Sequence, residues 1–227
     1  RTLADHLQAA GYRTGIVGKW HLGDDPKFHP RRRGFDEFFG HPGGSHDYLR
    51  AKGDRGASYA LEGWDGRPYE FENGYLTEIN GEAARAFIHR HRAVPWFLYL
   101  TFNAPHTPLQ ATPRYLARFA HIADEQRRTY CAMVSALDDA VGAVLAQLRA
   151  DRLEDNTLIF FLSDNGGNAE SGVRGRLEGA NPGGPQSTVF VGECWALLEN
   201  TPFRRYKHFN HERSEERRVG KECRSRW

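Results

Sequence analysis

Three runs of large apolar residues punctuate this chain, and helical spacing fills the stretches between them. Leu158-Ile159-Phe160-Phe161-Leu162 is the most apolar, and five such residues in succession predict a strand buried on both faces, as in a parallel sheet. Trp96-Phe97-Leu98-Tyr99-Leu100-Thr101-Phe102 is a second buried-strand candidate, and Thr14 to Val17 is a shorter third. Before that third strand, Thr2-Leu3-Ala4-Asp5 has capping-box spacing, Leu3, Leu7 and Ala10 share one helical face, and Gly11 closes the helix. Ile79, Ala83, Phe87 and His91 predict a helix that begins near Leu76 and stops before Pro95. Tyr130, Val134, Leu137, Val141, Leu145 and Leu148 predict a longer one. Gly142 inside it costs about 1 kcal/mol relative to Ala, and close packing against the sheet is the expected reason. Helix, strand, loop, helix, strand, helix, strand is the rhythm of an α/β sheet with crossover helices.

Between Gly23 and Gly74 the pattern weakens. Pro, Gly and Asp are frequent, and Phe35-Asp36-Glu37-Phe38-Phe39 is a short strand candidate. Irregular segments of this length in a compact domain are often functional loops around a site. Arg31-Arg32-Arg33 reads as a solvated charge run.

Composition changes this picture in two places. The chain of 227 residues carries a formal charge of +2, which invites a nucleic-acid partner. Residues 213–227 hold six basic and three acidic residues, however, which leaves 25 basic and 26 acidic in the remainder. Those fifteen residues lack apolar periodicity and resemble the in-frame translation of a sequencing adapter, so they are set apart from residues 1–212 as an artefactual tail. The nucleic-acid reading goes with them. No apolar run approaches the roughly 18 residues of a membrane span. The three cysteines have neither disulfide-framework nor metal-ligand spacing, and Cys131 on the long helix is expected to be a buried structural thiol. The first residue is Arg1, already within a helical pattern, so an amino-terminal truncation is expected.

Each strand candidate ends in residues of catalytic type. After Thr14 to Val17 come Lys19 and His21, which point to the same side if the chain is still extended there. After Trp96 to Phe102 comes His106 in Asn103-Ala104-Pro105-His106-Thr107-Pro108. After Leu158 to Leu162 come Asp164 and Asn165, hard oxygen donors of the kind Ca²⁺ or Mg²⁺ takes, followed by Gly166 and Gly167. An Asx turn is the plainer reading of Asp-Asn-Gly taken alone. If the strands are parallel, all three ends share one sheet edge, where ligands of open α/β sheets bind. A hard-metal pair with cationic and proton-transferring groups suits an oxyanion.

Four segments, Thr2 to Gly23, Arg33 to Gly40, Trp96 to Gln110 and Thr157 to Gly167, with Pro202 to Glu212 as a fifth, resemble the arylsulfatase branch of the alkaline-phosphatase-like superfamily. The resemblance is ordered along nearly all of residues 2–212, is weakest at 44–75 and 169–197, and includes the specific Gly-Lys-Trp-His-Leu-Gly motif. It implies an alkaline-phosphatase-like (sulfatase) central sheet flanked by helices, here incomplete at both ends. It implies a Ca²⁺ (or Mg²⁺) site with Asp164 and Asn165 as two ligands. It also implies a formylglycine nucleophile, made from cysteine by a formylglycine-generating enzyme and held as its hydrate by Lys19 and His21. His106 and Lys207 would contact the sulfate, with His106 a proton donor to the leaving alcohol, and Ser45 would lie near the sulfate.

None of the three cysteines lies in the Cys-x-Pro-Ser-Arg context of the modified residue, and the paired aspartates that complete the metal site precede the first helix in that family. The reading is therefore a fragment of a sulfuric ester hydrolase acting on a small-molecule or carbohydrate sulfate ester, and the 227-residue chain itself is expected to be inactive. The rivals are a phosphoric or phosphonic ester hydrolase of the same superfamily and a catalytically inactive sulfatase-like binding protein. Periplasm or secretion is the compartment the resemblance implies.

Overall fold

The structure is a computed structural model, and it describes residues 1–23, 25–51, 60–167, 169, 176–178, 188–190, 192–201 and 206–207. The adapter-like tail, Cys223, and the segment Pro202 to Glu212 apart from Tyr206 and Lys207 lie outside the described residues. In chain order the elements are α1 (Leu3–Ala9), β1 (Arg13–Lys19), β2 (Glu37–His41), β3 (Arg50–Ala51), β4 (Phe71–Glu72), α2 (Leu76–His91), β5 (Trp96–Thr101), α3 (Pro113–Arg118), α4 (Glu125–Ala150), β6 (Arg176–Glu178), β7 (Thr188–Phe190) and α5 (Glu193–Glu199). β1 is the centre of a parallel sheet of order β2-β1-β5, while β3-β4 and β6-β7 are separate antiparallel pairs.

The expected capping box forms. Thr2 Oγ1 accepts the Asp5 N–H at 3.1 Å, and the Thr2 N–H donates to the Asp5 carboxylate. β1 is buried from Thr14 to Gly18, and its small residues let both neighbours approach. Gly18 has φ +109, and a Cβ there would lie 2.0 Å from the Thr101 carbonyl oxygen, so no other residue fits the centre of this sheet. Asp36 fixes the start of the β1–β2 pairing by accepting from the Thr14 N–H (2.9 Å) and from Gln8 (2.7 Å). Burial pushes its carboxyl up, but these donors outweigh burial and leave it below the ordinary range.

Apolar residues cover both faces of the sheet. Ile16, Phe35 and Phe38 pack beneath α1 through Ala4, and Val17 and Phe39 pack beneath α2 through Ala83 and Ala84. α2 and α4 meet at Gly81, where a Cβ would come within 3.2 Å of Ala140 Cβ. A third cluster, which includes Tyr48, Tyr75, Leu109, Tyr115 and Met133, lies under the loops that follow β2 and β5. α4 holds an 18-residue window apolar enough, by length and composition, to cross a membrane, and 28% of that window is buried. Ala132, Met133, Ala136 and Ala140 are its buried side toward α2 and the third cluster, while Asp139 on another side pairs with Arg118 at 2.7 Å.

Three expectations fail. Residues 158–162 are not a strand: they pair with no neighbour among the described residues, and Leu158, Phe160 and Phe161 are 81%, 78% and 80% exposed. A strand apolar on both faces needs a paired edge and a cover on each side, and no described element supplies them. Gly142 does not touch the sheet, since a Cβ there would meet nothing within 4 Å; Gly81 is the glycine that permits close helix packing. Cys131 is a free thiol and only half-buried rather than buried.

Candidate active site

The carboxyl ends of β1, β2 and β5 lie on one edge of the sheet. β1 ends at Lys19, whose register partner is His41, the last residue of β2. Backbone pairing continues one step further, with Trp20 N–H donating to the His41 carbonyl (3.0 Å) and His21 N–H to the Pro42 carbonyl (2.9 Å). The Trp20 indole donates to the Phe28 carbonyl at 2.9 Å and anchors this turn. His21 leaves the strand, with φ +53 in the left-handed region. The strand alternation expected to align it with Lys19 therefore does not extend to it. Uncommon backbone at a histidine is stored strain of the kind that clusters at functional sites. Gly44 lies against the His21 ring, where a Cβ would come within 2.6 Å of Nε2.

Ser45 is half-buried in the loop after β2, next to buried His46 and Asp47. A network joins this loop to the one that carries His106. The fully buried Gln110 accepts the Tyr48 N–H (2.8 Å) and lies 3.4 Å from the Asp47 carboxylate, while the Tyr48 hydroxyl donates to the His106 carbonyl (2.8 Å). Asp47 also accepts the Leu49 N–H at 2.9 Å. Satisfied buried networks of this kind hold loops in one geometry.

His106 is placed by its N–H on the Asn103 carbonyl (2.9 Å), and its Nδ1 lies 2.7 Å from the Thr107 carbonyl. A carbonyl partner assigns the proton to Nδ1 and leaves Nε2 as the nitrogen with the lone pair. Burial, aided by the positive charges of Lys19 and Lys207, pushes the His106 imidazole below its usual range, and the Thr107 carbonyl and Asp164 oppose that shift. Lys19, Lys207 and Asp164 are thus all within electrostatic reach of one imidazole. His41 feels Lys19, His21 and His46; burial first, and then these neighbours, lower it to about 3.

Lys207 reaches the edge through the loop after residue 162. Its N–H donates to the Gly167 carbonyl at 2.8 Å, and its nitrogen lies 3.1 Å from where a Gly166 Cβ would be. In the same loop the Ser163 hydroxyl donates to the Asn165 carbonyl (2.6 Å), and the Asn165 N–H donates to the Asp164 carboxylate (3.0 Å). The turn survives although the strand before it does not form. Asp164 and Asn165 offer the hard oxygens a divalent ion takes, but two donors fall short of the roughly six to eight Ca²⁺ wants. Among the described residues no group of three or more His, Cys, Asp or Glu is arranged to hold a metal. The donor chemistry fits the ion, and the donor number does not.

Comparison with known proteins now decides the family. A model described as Sulfatase matches residues 1–218. The chain belongs to the sulfatase family. It is 37% identical over 210 residues to mouse (Mus musculus) arylsulfatase J, covering 88% of this chain and 35% of that protein. It is 39% identical over 178 residues to the pig (Sus scrofa) N-acetylgalactosamine-6-sulfatase, covering 72% of this chain and 32% of that one. The crystal structure of Ps i-CgsB, also determined in complex with k-i-k-neocarrahexaose, superposes with a TM-score of 0.67 at 38% identity, over 72% of this chain and 40% of that one. The parallel sheet flanked by helices is accordingly the sulfatase, alkaline-phosphatase-like, fold in part. The chain spans about a third of the length of the curated relatives it matches. Sulfatases as a family generally use a metal and a formylglycine.

Sequence reasoning named seven site residues and missed four that the structure adds to this edge. His41, His46, Asn103 and Gln110 are each buried beside it. Asn103 and Gln110 flank the Ala-Pro-His-Thr-Pro motif already singled out, and a polar residue in an apolar context was the available signal. His41 and His46 lie in the weakly patterned stretch and gave none.

Proposed function

We propose that this segment carries the sulfate-binding edge of a sulfuric ester hydrolase that acts on carbohydrate or small-molecule sulfate esters. The observation that supports this most is the gathering of Lys19, Lys207 and Asp164 around the His106 imidazole at the carboxyl edge of a parallel sheet. Lys19 and Lys207 would neutralise two oxygens of the transferring sulfo group, a role in which fixed charge in a dry site is worth far more than in water. Ser45 and His21, on loops clamped beside Lys19, would donate hydrogen bonds to the same group or to the nucleophile.

The attacking oxygen would come from a formylglycine hydrate, for which this sequence carries no Cys-x-Pro-Ser-Arg site. A formylglycine-generating enzyme is the partner that such a residue requires. Asp164 and Asn165 would provide two oxygen ligands to Ca²⁺ or Mg²⁺, whose charge would stabilise the bound oxyanion. No catalytic step follows from these two donors alone.

His106 would hand a proton to the leaving alcohol. It sits below its usual pKa because burial and two lysines disfavour its cation. An anion bound between those lysines removes the repulsion and raises the imidazole toward neutrality, the range a general acid requires. Substrate binding and acid catalysis are thereby coupled.

The carbohydrate reading rests on the relatives, one named for N-acetylgalactosamine 6-sulfate and one crystallised with a carrageenan-type hexaose. The family includes secreted and lysosomal enzymes, and export is the compartment proposed here. The test is to express the complete reading frame that carries this sequence with a formylglycine-generating enzyme, then assay matched aryl sulfate and aryl phosphate esters and sulfated galactosaminides. Sulfate turnover well above phosphate turnover supports the reading. Preference for phosphate assigns the protein to phosphoric ester hydrolysis, and binding without turnover assigns it to a binding role.

A further inference from the structure

His41 ends β2 with a fully buried imidazole, and neither ring nitrogen makes a hydrogen bond of ordinary geometry. The backbone at Gly43 favours its cation, and burial overwhelms that contribution. Two unpaired nitrogens on one buried ring are unusual in a folded protein and call for a partner. The register supplies a candidate. His41 and Lys19 are paired residues of adjacent parallel strands, so both side chains leave the same face of the sheet. The groups around His41 are Lys19 of β1, His21 beyond it, and His46 of the following loop, whose ring centroid lies 5.1 Å away. All are cations or able to become cations. His41 therefore stays neutral, and a neutral imidazole offers one acceptor nitrogen beside an ammonium with three donors.

Resting on the reading of this edge as an oxyanion site, we propose that His41 is a positioning residue for Lys19. Its buried imidazole accepts a hydrogen bond from the Lys19 ammonium when an oxyanion is bound, and so directs the other ammonium hydrogens at the anion. No bond to carbon, sulfur or oxygen is made or broken in this step, and no proton changes owner. His41 closes β2, one residue beyond the Arg33 to Gly40 segment and outside the Gly-Lys-Trp-His motif.

The test uses the 227-residue chain and inorganic sulfate at pH 7.5, followed by imidazole ¹⁵N spectra and by sulfate affinity. His41 signals, assigned in the unaltered chain by through-bond correlation from its backbone, should report a neutral ring whose acceptor nitrogen moves on adding sulfate. His41→Leu, which keeps volume but no acceptor, should weaken sulfate about tenfold, as expected for one charge-assisted hydrogen bond, and His41→Gln should recover most of that loss. Unmoved His41 signals during saturation, or equal affinity in His41→Leu, overturn the inference and leave the oxyanion reading standing. Absence of sulfate binding, with Lys19→Ala no different from the unaltered chain, overturns the oxyanion reading and this inference with it. The spectra of the unaltered chain decide the matter even if a variant does not fold.

Discussion

Trp96–Leu100 and Leu158–Leu162 carry the same signature, five large apolar residues in succession, and meet opposite fates. The first is β5, paired in parallel with β1 along six residues. The second pairs with nothing among the described residues and leaves Phe160 and Phe161 largely exposed. Their composition does not separate them; their neighbours do. β5 borders a strand whose small residues admit it closely, and α2 covers one face through Ala83 and Ala84. Residues 158–162 have no such edge and no such cover among the described residues. An apolar run states a demand for burial, which β5 meets in part (Tyr99 stays 48% exposed), and how far it is met depends on other parts of the chain. The catalytic-type residues after each run behave differently, since Asp164 still reaches the neighbourhood of His106 although the strand before it is absent.

The comparison breaks first at Gly18. Its Cβ would collide with the Thr101 carbonyl, so Gly18→Val should abolish cooperative unfolding in a urea melt, a loss above roughly 4 kcal/mol. A variant with an unchanged midpoint would show that the β1–β5 contact is not as close as described. Next, Ile16→Ala should cost about 2–5 kcal/mol, because Ile16 is fully buried beneath α1. Phe161→Ala should change the midpoint of the same chain by less than about 0.5 kcal/mol and reduce binding of a hydrophobic dye. Equal losses at both positions would mean that the second run is buried after all.

Acid should sharpen the contrast within the sheet. His41 is lowered by burial to about 3, so it is neutral when folded and takes up a proton on unfolding below its ordinary value of 6.5. Its contribution is therefore complete above about pH 6.5 and fades as pH falls toward 3, by roughly 3 kcal/mol at most at pH 4. His41→Leu should flatten this part of the stability–pH curve. A wild-type curve flat from pH 7 to 4 would contradict the burial. A small gain is expected at Gly142, where a side chain meets open space and Ala should stabilise α4 by up to about 1 kcal/mol. A loss there would restore the close contact that the helical pattern suggested.

What was legible in the sequence was whatever depends on local chemistry. The Thr2–Asp5 box, the β1 and β5 strands, the helices around Ile79 and Leu137, and the parallel edge carrying Lys19 and His106 all follow from spacing and side-chain type. What depends on distant partners was not. Spacing alone could not tell that Gly81 and not Gly142 admits the neighbouring helix, because only the α2–α4 crossing decides which glycine lies at the contact. Nor could it place His41, which becomes notable only when β2 registers it beside Lys19. The alternation rule failed at His21 because the chain turns into the left-handed region one residue after Trp20.

The central claim is that the carboxyl edge of this sheet binds the transferring sulfo group through Lys19. It is tested most directly by the aryl sulfatase activity of the complete, formylglycine-bearing reading frame and its Lys19→Ala variant. The account predicts that kcat/KM falls by about 10³ or more, the loss of one preorganised cation at the reacting group, with thermal stability retained. A fall of less than tenfold would contradict it and move the oxyanion site away from this edge.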